Sequence, residues 1–131
     1  MTHKLYDIGV ARQIGSYSDA IEKTAPVRWL VTAGTPGLGL DGTLPGDITG
    51  QAEIAWKHIL TMLEKAGMTV NDLVKVTQYL VRRRDIPAYV KVRSRMLGDA
   101  RPASTLLVLP DGHVRPDFLI EIEALAAKAD P

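Results

Sequence analysis

The chain has 131 residues, of which 46% are hydrophobic and 24% charged, values that fit one globular domain over residues 1–131 with its own core. Sixteen Lys and Arg against fifteen Asp and Glu leave a net charge of +1, so no overall field draws nucleic acid and no acidic excess points to disorder. The absence of cysteine excludes disulfides, thiolate nucleophiles and thiolate metal sites, and no apolar run is long enough to span a bilayer; residues 1–7 lack the apolar stretch of a signal peptide, so a cytoplasmic protein is expected.

In chain order, Val27-Arg28-Trp29-Leu30-Val31-Thr32-Ala33 is rich in β-formers and ends at Gly34, as a buried strand running into a loop does. Glycine and proline are then dense from Gly34 to Gly46, which predicts turns. From Asp47 to Ala66 the apolar positions Ala52, Ala55, Ile59, Leu63 and Ala66 recur at helical spacing, with Trp56 and Met62 widening the stripe. Asp47 or Thr49 suits the N-cap and Gly67 the C-terminal stop.

After a polar turn at Asn71-Asp72, Leu73 to Val81 reads as a strand, with Val74, Val76 and Leu80 on one face and Lys75, Thr77 and Tyr79 on the other. Asp85 opens a second helix, which tolerates Pro87 in its first turn and runs along Tyr89, Val92 and Met96 to Gly98. Ser104 to Leu109 is a strand, Pro110-Asp111-Gly112 a turn, and Phe118 to Ala127 the last strand. The order predicts an α+β fold in which two helices pack on one face of a mainly antiparallel sheet.

In that last strand Glu121 and Glu123 point one way while Phe118, Ile120 and Ile122 point the other. By alternation alone the two carboxylates read as a solvated strand face. The face away from the helices is then expected to carry Glu121, Glu123, Thr77, Tyr79, Leu119 and Leu125, a mixed surface suited to a subunit interface with clefts for a small molecule.

Several segments together resemble the RidA/YjgF family of small enamine/imine deaminases. They are Gly15-Ser16-Tyr17-Ser18, Leu30-Val31-Thr32-Ala33-Gly34, Gln51, Leu63-Glu64-Lys65-Ala66-Gly67, Asp72-Leu73-Val74-Lys75-Val76-Thr77, and the tail Arg101-Pro102-Ala103 with Glu121-Ile122-Glu123-Ala124. The resemblance implies a chorismate-mutase-like subunit, a homotrimer with sites in the inter-subunit clefts, and hydrolysis of 2-enamine or 2-imino acids to keto acids and ammonia without metal or cofactor. It implies that Glu121 positions water and moves protons, and that Tyr17, Ala33, Gly34, Ala103 and Ser104 line the substrate site. The family's carboxylate-gripping arginine falls at Arg101 when counted back from Leu109-Pro110, or at Ser104 when anchored on Pro102-Ala103. Ala33 stands where the family pocket carries a serine, and the helix at Tyr89-Val90-Lys91 lacks an asparagine that many members have there.

The glycine-rich stretch Gly34 to Gly39 lacks the Gly-Lys-Ser/Thr of a phosphate loop and reads as cleft-wall backbone. His3, His58 and His113 are scattered, with no carboxylate or second histidine at ligand spacing, so no metal is expected. Arg82-Arg83-Arg84, with Lys91, Arg93 and Arg95, forms the one basic concentration; at 5% aromatic residues the stacking partners for RNA are sparse. A solvated face is the favoured reading there, and a non-catalytic or RNA-interacting trimer using that face or the cleft is the alternative to the deaminase.

Overall fold

The computed structural model describes residues 3–24 and 26–130; residues 1, 2, 25 and 131 of the expected 1–131 domain lie outside the described residues. In chain order the elements are β1 (His3–Tyr6), β2 (Ala20–Lys23), β3 (Val27–Val31), β4 (Thr35–Pro36), α1 (Ile48–Lys65), β5 (Leu73–Leu80), α2 (Ile86–Leu97), β6 (Ala103–Val108) and β7 (Ile120–Ala129). The main sheet runs β3-β7-β5-β6, with β4 joined to β7. β7 is antiparallel to β3, β4 and β5, whereas β5 and β6 are parallel. The sheet is therefore mainly antiparallel with one parallel pair, because α2 is a crossover that returns the chain to the end where β5 began.

Both helices cover one face. Asp47 caps α1 by accepting the Gly50 N–H at 2.9 Å, and Ala52, Ala55, Trp56, Ile59 and Leu63 are buried along one stripe. These meet Leu73, Val76 and Leu80 of β5, Ile120 and Ile122 of β7, and Tyr89 and Val92 of α2 in one core. Asp85 precedes α2 without capping it; its carboxylate accepts from Arg82 Nε at 2.8 Å instead.

Three expectations change, and one element is new. β3 is an edge strand, with Trp29 and Val31 exposed, not a buried one. Val74 leaves the core face because the β5–β7 register shifts between Leu73 and Lys75, which puts Leu73 in the core instead; the buried amide of Gln78 shares that face. Leu119 precedes β7 and packs against the core rather than on the open face. The hairpin of β1 and β2 carries no apolar alternation, its side chains being mostly half-buried or exposed, so no sequence signal announces it. Among the described residues no helix is long and apolar enough to cross a membrane.

Candidate functional site

Glu121 stands on the open face of β7, opposite Tyr79 of β5 and Pro36 of β4. Its Oε2 lies 3.2 Å from Nδ1 of His113, whose side chain is 6% exposed against 23% for the glutamate. The other ring nitrogen, Nε2, lies 2.9 Å from the Tyr79 carbonyl oxygen. A carbonyl only accepts, so Nε2 is the nitrogen that donates there and Nδ1 is the one turned toward the carboxylate. Glu121 thus stands against an imidazole, a side chain suited to proton exchange.

The glycine loop touches the same carboxylate. A Cβ built on Gly34 would lie 2.5 Å from Glu121 Oε1, so any side chain there would push the carboxylate from its present position. At Gly37 a Cβ would collide with the Gln51 backbone at 2.2 Å. Gln51 is buried and ties three segments together: its Nε2 donates to Pro45 O and Asp117 O at 2.8 and 3.1 Å, and its Oε1 accepts from Leu119 N–H at 2.8 Å. The helix thereby fixes the loop on one side of Glu121 and the approach to β7 on the other. Glu123, two residues on, accepts from the Tyr79 hydroxyl at 2.5 Å, a bond that raises the Tyr79 pKa first, with desolvation second. Glu123 is thus engaged with Tyr79.

Tyr17 and Ser104 meet elsewhere. Ser18 bridges to Ala103, its hydroxyl donates to Arg101 O at 2.5 Å, and this lays the segment before it along the start of β6. Tyr17 and Ser104 line one cavity together with Arg93. Ser104 pairs with Val76 inside β6, so it has a strand position, while Arg101 lies in the loop before it. The Arg101 Nη1 donates to Gly98 O at 2.7 Å and Ala100 O at 2.9 Å, carbonyls at the end of α2, while the residue lines a second cavity beside Tyr17.

The structure therefore gathers Ala33, Gly34, His113 and Glu121 at one place and Tyr17, Ala103 and Ser104 at another. Ser104 reaches the helix-covered face, where Gln78 Nε2 donates to its Oγ at 3.0 Å, whereas Glu121 is on the opposite face. His113, considered in the sequence only for metal-ligand spacing, is brought against Glu121, eight positions further on, by the turn before β7. The basic concentration also disperses. Arg82 pairs with Asp85, Arg95 lies 3.8 Å from Glu53, and Arg93 is buried, which leaves Arg83, Arg84 and Lys91 exposed. Among the described residues no three His, Asp or Glu side chains form a group that could hold a metal ion.

The sequence model of the family described as Endoribonuclease L-PSP matches residues 10–128. A RutC family protein of Pyrococcus horikoshii is 32% identical over 132 aligned positions, covering 98% of this chain and 99% of that protein. A Rid family protein of Yersinia pestis has the same fold, with a TM-score of 0.83 at 23% identity over 98% of this chain and 100% of its own. Escherichia coli TdcF, which carries the provisional name reactive intermediate deaminase, is 22% identical over 67% of this chain and 69% of its own length. Its crystal structure, with bound serine, superposes with a TM-score of 0.71 over 88% of this chain and 91% of that one.

Proposed function

The chain belongs to the Endoribonuclease L-PSP family, the RidA/YjgF group that its motifs resemble, and from this premise we propose that it is a hydrolase of small reactive imines or enamines that releases ammonia and a keto acid. The observation that carries the reading is Glu121 held between His113 and the Gly34 backbone. Glu121 takes a proton from water as the water oxygen bonds to the imine carbon and the C=N pair moves to nitrogen. The same proton, returned to nitrogen, leaves a neutral amine on the tetrahedral carbon; the hydroxyl proton then passes to that amine as the carbonyl forms, the C–N bond breaks and ammonia leaves. His113 steadies the carboxylate in the orientation and charge that each step needs. The deaminase name of TdcF, and the serine in its crystal structure, support a small substrate bearing a carboxylate.

The working unit in this reading is a homotrimer of chorismate-mutase-like single-domain subunits in the cytoplasm. Trp29, Val31 and Leu107 leave apolar surface on the main sheet. Glu121 and the Tyr17–Ser104 cavity belong to opposite faces of one subunit's sheet, so a site using both needs residues from two copies. An RNA-interacting trimer has less support, because Arg82 and Arg95 are already paired and Arg93 is buried.

The test is ammonia release from freshly generated 2-iminopropanoate or 2-iminobutanoate. Release faster than the spontaneous reaction is expected of the wild-type chain; equal rates would overturn the deaminase reading.

A further inference from the structure

We infer that Arg93 is the carboxylate anchor of this chain: carried on α2, its guanidinium faces a cavity of about 420 Å³ shared with Tyr17 and Ser104, and there it holds the acid group of the small substrate. The inference rests on the reading of that substrate as a small carboxylate, and it moves the cation from the loop at Arg101 to the second helix.

Burial and partnership make the case. Arg93 is only 8% exposed, and among the described residues no carboxylate lies within ion-pair distance of it. Its one hydrogen bond is long, Nη1 donating to Gln78 Oε1 at 3.4 Å, and its contact with the Tyr89 ring, 5.9 Å to the centroid, is at the outer limit for a cation and a π face. A guanidinium withdrawn from water with so little in exchange is unfavourable until an anion arrives. None of its nitrogens is both sealed from solvent and unbonded, so the remaining N–H groups open outward rather than being trapped in the core.

The walls suit the same ligand. No Asp or Glu lines the cavity, and its apolar side is made by Ile86, Val90 and Leu106. The Ser104 hydroxyl accepts from Gln78 and keeps its own hydrogen for a further acceptor, and the Tyr17 hydroxyl has no partner among the described residues. Two neutral donors and a planar cation thus converge on a space without competing anions, a donor set matched to a carboxylate. Arg101, by contrast, has its Nη1 committed to the carbonyls of Gly98 and Ala100.

The experiment measures binding of 2-oxobutanoate, a stable keto acid, by titration calorimetry to the wild-type chain and to Arg93→Met, Arg93→Lys, Arg101→Met and Arg84→Met, the last an exposed arginine outside both sites. Loss of a charged hydrogen-bond donor predicts binding weaker by about ten- to a hundredfold in Arg93→Met, with partial retention in Arg93→Lys and near wild-type affinity in the other two. No binding by the wild type, equal binding by Arg93→Met, or loss confined to Arg101→Met would each overturn the inference. Arg93→Lys separates charge from folding: if Arg93→Met melts early, a lysine variant that stays folded and binds better than neutral Arg93→Gln supports the anchor, and equal binding by the two refutes it. Turnover is read in parallel. Wild type that binds 2-oxobutanoate through Arg93 without hydrolysing imines leaves the anchor standing and removes the deaminase, whereas turnover with Arg93-independent binding does the reverse.

Discussion

Beneath α2, Gln78 joins Ser104 Oγ, Thr105 O, Val76 O, the Tyr89 hydroxyl and Arg93 into one buried network, and Trp56 Nε1 extends it by donating to Tyr89. On the other face of the sheet, Glu121 has a histidine on one side, a glycine backbone on the other and partial access to solvent. The first region holds a charge that is fixed at every physiological pH, with neutral groups arranged around it. The second holds a carboxylate against an imidazole. A fixed cation can bind and orient but cannot transfer protons, and a carboxylate–imidazole pair can transfer protons but is a poor permanent anchor. The sheet keeps the two apart because successive residues of a strand face opposite ways.

The sharpest break is Glu121→Ala. It should lower imine hydrolysis by about 10²- to 10⁴-fold while leaving the melting temperature close to wild type, since the side chain lies outside the core. A melting temperature that falls with activity would mean that Glu121 is structural after all. Next comes Gly34→Ala, which pushes the Glu121 carboxylate aside without removing it. Displacement of this kind lowers the rate by up to about 10²-fold, and a rate equal to wild type would show that the carboxylate position does not matter.

Gln78→Leu tests the buried side. It removes the shared amide and strips partners from Ser104, Tyr89 and Arg93, so urea unfolding should show a loss of about 1–3 kcal/mol. Unchanged stability would mean that the network is not what orders this face. The smallest effect is at alkaline pH. The Glu123 hydrogen bond holds the Tyr79 phenol above its ordinary value near 10, and burial holds Tyr89 higher still. Groups raised on folding contribute stability that is complete below the unfolded pKa and is lost as pH climbs through the folded one, so stability should decline above about pH 10. Ultraviolet titration should show Tyr79 and Tyr89 ionising later in the folded chain than in urea, and simultaneous ionisation in both would contradict it.

Much of the fold was legible because its elements are periodic. The stripe from Ala52 to Leu63, the alternation through Ile120, Glu121 and Ile122, and the glycine loop each carry a local pattern that a single interaction range explains. Gln78 and Arg93 were not legible in this way: one sits at a core position where an apolar residue is expected, and the other looks like part of a charged helix face. Tertiary packing alone brings the two together under α2. The β1–β2 hairpin left no trace because neither strand has a clearly buried face, and His113 was missed because ligand spacing was sought along the chain.

The amino-acid sequence by itself determined the family, the two helices, the main strands and the placement of Glu121 on a face of its own, since each follows from local periodicity or from motifs kept in order. Tertiary structure alone decided which side chains meet: His113 with Glu121, Gly34 against the same carboxylate, Arg93 beside Tyr17 and Ser104. Such meetings depend on strand register and on the turn before β7. A change of one residue in register reverses the face every side chain occupies, so they exist only once the sheet has closed.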